Sequence, residues 1–291
     1  MSGSAAWRWL RDQRYALPRR AGAWLPAPGP GDAAALRTHL DRRGLAATVS
    51  YFQAESDSPD AIVAACRAVM QRMGPGAAPA RLSVKAPPLG FCAARLRTLA
   101  ETAAAADMRL MFDAHAPADA DATLAAVEAL LPDFSGTGCV LPARWRRSLS
   151  DADQWRDTSA PIRVVKGEWR DLDADPEDID AAFLALVSRL AGRAAPVAVA
   201  THKPALAERA LDILIAAGTP CELEQLRGLP RRRTMTAARQ RGVPVRVYIP
   251  FGPDWWPYAI DKALARPHLP LWMLRDALGL RDRAKQMGRP G

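Results

Sequence analysis

Eight short runs rich in β-branched residues recur along this chain at intervals of roughly thirty residues, each followed by a stretch with helical apolar spacing. They are ATVSYF (47–52), RLSVK (81–85), RLMFD (109–113), GCVLP (138–142), IRVVK (162–166), VAVAT (197–201), CELEQL (221–226) and VRVYI (245–249). The segments between them, such as DAIVAACRAVMQRM and IDAAFLALVSRLAG, place apolar residues at i, i+3, i+4 and i+7. Strands alternating with helices predict parallel βαβ units, and eight such units predict an α/β fold, a (β/α)8 TIM-type barrel. The barrel is assigned to residues 41–291, and residues 1–40 to an N-terminal helical arm. In that arm LPAPGPGD leads into a helix expected to be capped by Asp32. The competing open doubly wound sheet needs a Gly-rich phosphate turn after an early strand, and neither GxGxxG nor GxxxxGK[ST] occurs.

Composition narrows the class further. Hydrophobic residues make up 49% and charged residues 24% of 291, which suffices for a sizeable core. MSGSAAWRWLRDQRY has no apolar run of signal-peptide length, and no later stretch approaches the roughly 20 apolar residues of a membrane span, so a cytoplasmic protein is expected. Cys66, Cys92, Cys139 and Cys221 are widely separated and read as small buried residues rather than a zinc or disulfide set. The net charge of +9 is spread along the chain, which argues against specific nucleic-acid binding. Its densest patch, PRRRTMTAARQR (230–241), reads as a solvated helix face that would suit an acidic carrier protein or a membrane surface.

Barrel active sites are built at the carboxyl ends of the strands. Those ends carry Glu55, Lys85, Asp113 with His115, Arg144, Arg163, Lys166, Trp169, Thr201, His202, Lys203, Glu222, Glu224 and Tyr248. Only five of the 40 basic residues are lysine, and Lys85, Lys166, Lys203 and Lys262 all belong to this rim or to the helix after the last strand. A lysine there shifts its pKa or holds an anion as a point charge, so the clustering marks chemistry. Asp113, His115, His202, Glu222 and Glu224 could converge as metal ligands, but a hydrogen-bonded polar rim is the better reading and no metal is expected. No Ser sits at a sharp strand-to-helix turn, so a Ser-His-Asp mechanism has no support.

Several strand ends together resemble the proline dehydrogenase family. RLSVK is similar to that family's strand-two lysine segment and RLMFDA to its strand-three acidic segment. IRVVKGEW resembles RLVKGAY, VATHK resembles ATHN, CELEQLRGL resembles EFQMLYGM, and VRVYIPFGPDWWPY resembles VRVYVPYG…W..Y. Six motifs in order over residues 40–270 imply a flavin-dependent barrel with FAD at the strand ends. By position, the resemblance puts Arg163 near the reactive edge of the flavin and Lys85 near flavin and substrate. Lys166 and Gly167 would line the pyrophosphate region and Trp169 would stack on the cofactor. Thr201 and His202 would touch its ribityl or phosphate part, and Asp113 and Glu224 belong to the same cofactor set. Tyr248 and Tyr258 would border the substrate.

The departures concern the substrate. The family's YxxRRLxE pattern, whose arginines clamp a carboxylate, reads YAIDKALA, so Asp261 and Lys262 replace the pair. One ammonium beside a carboxylate cannot reproduce a bidentate guanidinium. Pro142 replaces a Gln that contacts the flavin, Glu224 replaces a Gln, Arg227 a Tyr, and Lys203 an Asn. The leading expectation is therefore an FAD-dependent enzyme oxidising a C–N bond of an amine or amino-acid derivative other than free proline, by hydride transfer to flavin N5. Lys85, Arg163 and Tyr248 would be catalytic, Asp261 would meet a substrate cation, and carrier-linked substrates stay open. Quinone or oxygen as electron acceptor and the oligomeric state stay open as well. Two alternatives remain: a flavin-free homologue serving as a binding subunit, and acid/base or metal chemistry at Glu222 and Glu224.

Overall fold

The computed structural model describes residues 26–265 apart from 75 and 77, and in it the eight runs form eight parallel strands that close on themselves in sequence order. They are β1 (Ala46–Tyr51), β2 (Ala80–Val84), β3 (Met108–Phe112), β4 (Gly138–Pro142), β5 (Ile162–Val165), β6 (Val197–Ala200), β7 (Cys221–Leu226) and β8 (Val245–Phe251). Closure is made by β1 against β8, in register from Ala46↔Arg246 to Tyr51↔Phe251. The expected barrel is thus the observed architecture.

The helices start where the sequence offers caps. Helix α1 (Pro30–Asp41) precedes β1, followed in order by α2 (Pro59–Arg72), α3 (Ala93–Ala105), α4 (Ala120–Leu130), α5 (Ser148–Trp155), α6 (Ile179–Leu190), α7 (Pro204–Ala216), α8 (Arg232–Gln240) and α9 (Trp255–Ala265). Ser58 accepts from the Ala61 amide at 3.2 Å, with Pro59 in the first turn, and Asp178 accepts from the amides of Asp180 and Ala181. Asp32 differs from its expected place. It stands at the third helical position and its Oδ2 accepts from the Gly29 amide at 2.8 Å, because Pro30 has already begun the helix. Helix α1 packs on α2 and over β1 and β8, so it belongs to the outer ring. The rest of the expected arm, residues 1–25, lies outside the described residues, as do 266–291.

Each helix buries one stripe against the sheet. On α6 the stripe is Phe183, Leu184, Leu186, Val187 and Leu190. On α8 it is Thr234, Met235, Ala237 and Ala238, which leaves most of the arginines of 230–241 outside, as expected of a solvated face. Cys66 and Cys139 are buried, while Cys92 and Cys221 are half-buried, and all four are free thiols. Among the described residues no helix is long and apolar enough to cross a membrane.

The barrel interior departs from the usual layers of branched apolar residues. Inward positions of β2, β5, β7 and β8 carry Arg81, Arg163, Glu222, Glu224 and Arg246, all buried. Toward the amino ends of the strands, Arg81 donates to Glu222 across the barrel. Arg246 donates to both Glu222 oxygens at 3.0 and 3.2 Å, and to the carbonyls of Ala47 and Pro79.

Candidate active site

Alternation along the strands places a second ionic cluster one layer above the first. Arg163 on β5 grips Glu224 on β7 with Nε and Nη2, both at 2.8 Å, and reaches Asp113 beyond β3 at 2.9 Å and Ser83 on β2 at 3.2 Å through Nη1. Ser83 donates to Asp113 at 2.7 Å. Tyr248 on β8 donates to the other Asp113 oxygen at 3.0 Å, and its ring lies 5.3 Å from the Arg163 guanidinium carbon. Burial works against the charge of Arg163, but Glu224 and Asp113 outweigh it and hold the guanidinium above its ordinary value. Burial, then Asp113, push the Tyr248 phenol well up, so it stays a donor at neutral pH.

Above this cluster opens a cleft of about 550 Å³ at the carboxyl ends of the strands. One wall is largely apolar: Val140 and Pro142 on β4, Val165 on β5, Ala200 on β6 and Leu226 on β7. The opposite half of the closed barrel contributes Lys85, Asp113 and Tyr248. Lys85 Nζ sits 4.0 Å from the centre of the Phe52 ring and 3.5 Å from the Tyr51 carbonyl. Burial lowers its pKa more than Asp113, Asp254 and Glu168 restore it. At the mouth Tyr258 on α9 donates to Glu168 at 3.2 Å, Phe52 packs between Trp255 and Tyr258, and Trp169 leans on His115 with centroids 4.8 Å apart.

The cleft brings together nine of the expected site residues: Lys85, Asp113, Arg163, Gly167, Trp169, His202, Glu224, Tyr248 and Tyr258. Three further expected residues stand outside the cleft lining. Lys166 turns to Asp180 on α6, and Thr201 is buried with its carbonyl accepting from Gln225 at 2.7 Å. Asp261 sits half-buried on α9 away from the cleft lining, and the Lys262 side chain lies outside the described residues. His202 lines the cleft but is already engaged. Its Nε2 accepts from the Leu226 amide at 3.1 Å, which leaves Nδ1–H to donate to the Pro230 carbonyl at 2.8 Å.

Acid/base or metal chemistry at Glu222 and Glu224 does not agree with this geometry. Burial raises the Glu222 carboxyl, yet Arg81 and Arg246 hold it at about 2, and Glu224 gives both oxygens to Arg163. Among the described residues no group of His, Cys, Asp and Glu is arranged to hold a metal ion. Sequence reasoning missed Phe52, Glu168 and Asp254 as cleft residues and Ser83 as a member of the cluster. Ser83 had a signal, since it precedes Lys85 by two on one strand face.

Comparison with known proteins agrees with the geometry. The family model described as proline dehydrogenase matches residues 41–255. Proline dehydrogenase 1 of Bacillus subtilis subsp. natto is 24% identical over 255 residues, covering 82% of this chain and 84% of that protein. A proline dehydrogenase of Deinococcus radiodurans is 30% identical over 156 residues, half of each chain. Among solved structures, proline utilization A from Bdellovibrio bacteriovorus, inactivated by N-propargylglycine, superposes with a TM-score of 0.72 at 16% identity. That match covers 90% of this chain but 35% of the other, so this chain spans about a third of the larger protein's length.

Proposed function

The chain belongs to the proline dehydrogenase family and is an oxidoreductase of that type, and on this premise we propose that FAD is its cofactor and that it oxidises the C–N bond of an amine or amino-acid derivative other than free proline. The observation that carries the proposal is the buried Arg163, fixed by two carboxylates at the floor of a cleft with one largely apolar wall and one polar wall. These residues fit a flavin ring. Val140, Pro142, Val165 and Ala200 would lie along its face, and Arg163 would stand by the edge where charge develops. Gly167 packs tightly on this wall: at φ +96° it lies so close to Pro142 that an added Cβ would fall 2.9 Å from the Pro142 Cβ.

When bound, the flavin would supply a two-electron acceptor for the hydride leaving the substrate carbon, while the nitrogen lone pair forms the C=N bond. The chain's own residues would do the rest. Lys85, with its lowered pKa, takes the proton from an incoming ammonium so that the lone pair is available. Glu224 is excluded from that task by its two bonds to Arg163. Tyr248 keeps Asp113, and through it Arg163, in register. Phe52 and Tyr258 would shield the reacting carbon from water.

The substrate reading rests on charge. At the floor of the cleft the one guanidinium, Arg163, is already spent on Glu224 and Asp113, so it offers an incoming carboxylate no free fork. A free carboxylate is disfavoured there, whereas a cationic amine or a derivative with a masked carboxylate is favoured. The test is a visible absorption spectrum of the purified protein, identification of any small molecule released on denaturation, and anaerobic bleaching across a panel of amines. Released FAD and bleaching by such amines are expected. A colourless protein that takes up no added FAD would overturn the proposal.

A further inference from the structure

Positive charge in this chain is written almost entirely as arginine, yet two of its five lysines meet at a single carboxylate. Lys166, which follows β5, and Lys203, which follows β6, both donate to Asp180 in the first turn of α6, one to each oxygen, the Lys203 contact at 2.8 Å. Asp180 is held in place because its own amide donates to Asp178 at 2.8 Å. The three side chains carry a net charge of +1. Their location connects them to the cleft: Lys166 immediately precedes Gly167 and Lys203 immediately follows His202, and both of those neighbours line it. The lysine pair therefore stands beside the cleft, at the carboxyl ends of the neighbouring strands β5 and β6.

We propose that Asp180 is a built-in competitor for the diphosphate of FAD, occupying the anion position between Lys166 and Lys203 so that the diphosphate must displace it. The inference rests on the FAD reading above. A tethered carboxylate presents one negative charge to two ammonium groups, whereas a diphosphate presents more and neutralises the pair better. The exchange is favourable only by the difference, and the departing carboxylate remains near enough to repel the incoming anion. FAD affinity is thus set partly by Asp180, and the flavin is held as a dissociable cofactor whose loading weakens with salt.

The experiment titrates apoprotein with FAD, with riboflavin, which has the ring but no phosphate, and with inorganic pyrophosphate alone. Wild type, Asp180→Asn and Asp180→Glu are compared. Asp180→Asn is expected to bind FAD about five- to tenfold more tightly, the effect of removing one charge at this range. Riboflavin affinity should not move, and Asp180→Glu should return FAD affinity toward wild type. Unchanged or weaker FAD binding by Asp180→Asn would overturn the inference, as would an equal change for riboflavin, which is what a purely structural role produces. If no variant binds either flavin, the FAD reading fails and pyrophosphate decides this point. Tighter pyrophosphate binding by Asp180→Asn then upholds an Asp180-gated anion site, and equal binding removes it.

Discussion

Two ionic clusters share the interior of one barrel and are built with opposite charge ratios. In the lower one a single carboxylate, Glu222, faces two guanidinium groups, Arg81 and Arg246. In the upper one a single guanidinium, Arg163, faces two carboxylates, Glu224 and Asp113. The lower excess of positive charge is absorbed by backbone carbonyls, since Arg246 also donates to Ala47 at 2.8 Å and Pro79 at 3.1 Å. The upper excess of negative charge is met only in part, by the hydroxyls of Tyr248 and Ser83, and it adjoins the cleft. A cluster completed by its own backbone is a structural plug, whereas one left with an unbalanced charge beside a cavity is arranged for a ligand.

Arg163→Met gives the largest expected effect and separates the clusters most sharply. It leaves two carboxylates without their cation, which costs about 3–5 kcal/mol of stability and slows flavin reduction on the order of a hundredfold or more. Urea denaturation and stopped-flow bleaching check the two effects, and a variant as stable as the wild type would show that the cation is dispensable to the carboxylates.

Glu222→Gln comes next and should act on stability alone. With the carboxylate gone, Arg81 and Arg246 are two buried cations without a counter-charge, again about 3–5 kcal/mol by denaturant titration. Flavin affinity per folded molecule should stay at the wild-type value, because Glu222 does not line the cleft. The acid limb tests the same group in the wild type. The Glu222 carboxyl is held at about 2 against an ordinary 4.5, so its contribution is fully present above about pH 4.5 and lost as pH falls toward 2. That part of the acid limb should be missing from Glu222→Gln.

The contrast between the clusters shows what a sequence can and cannot display. All eight strands were legible, because each run of β-branched residues is bounded by turn residues and local periodicity decides strand or helix. It was equally legible that Glu222 and Glu224 face the same way. Their opposite roles were not, because one step of two residues along β7 changes which distant arginines they meet. The partner of Lys166 was hidden for a similar reason: Asp180 lies on the following helix, and nothing local in VKGEW points there. Glu168 and Asp254 lie inside IRVVKGEW and VRVYIPFGPDWWPY, but nothing local marks them as cleft residues, because closure of the barrel is what brings them to the mouth beside Tyr258.

Lys85→Met sharpens the boundary between cluster and cleft. Lys85 lines the cleft beside the Phe52 ring and donates to the Tyr51 carbonyl rather than to the Arg163 cluster. Its loss should slow flavin reduction about a hundredfold, the usual range for a proton acceptor, with little change in stability. Since burial lowers its pKa, the wild-type rate should rise with pH through a value below that of ordinary lysine, and the variant should lose that rise. Stopped-flow bleaching across pH separates this from a packing defect, which would lower the rate equally at every pH.

Glu224→Gln is expected to have the smallest effect and bears most directly on the substrate. The amide oxygen still accepts from Arg163, so the change removes one charge and one charge-assisted bond, about 1–2 kcal/mol of stability. It also brings the upper cluster to one cation and one carboxylate, so the cluster loses its negative excess. If that excess is what discriminates against a free carboxylate, the variant should bleach severalfold faster with proline while bleaching with a proline ester is little altered. The relevant quantity is the ratio of the two rates, because a general loss of activity lowers both alike. An unchanged ratio would show that the charge of Glu224 is fully spent on Arg163. Selection against carboxylates would then lie outside the cluster, toward the mouth of the cleft.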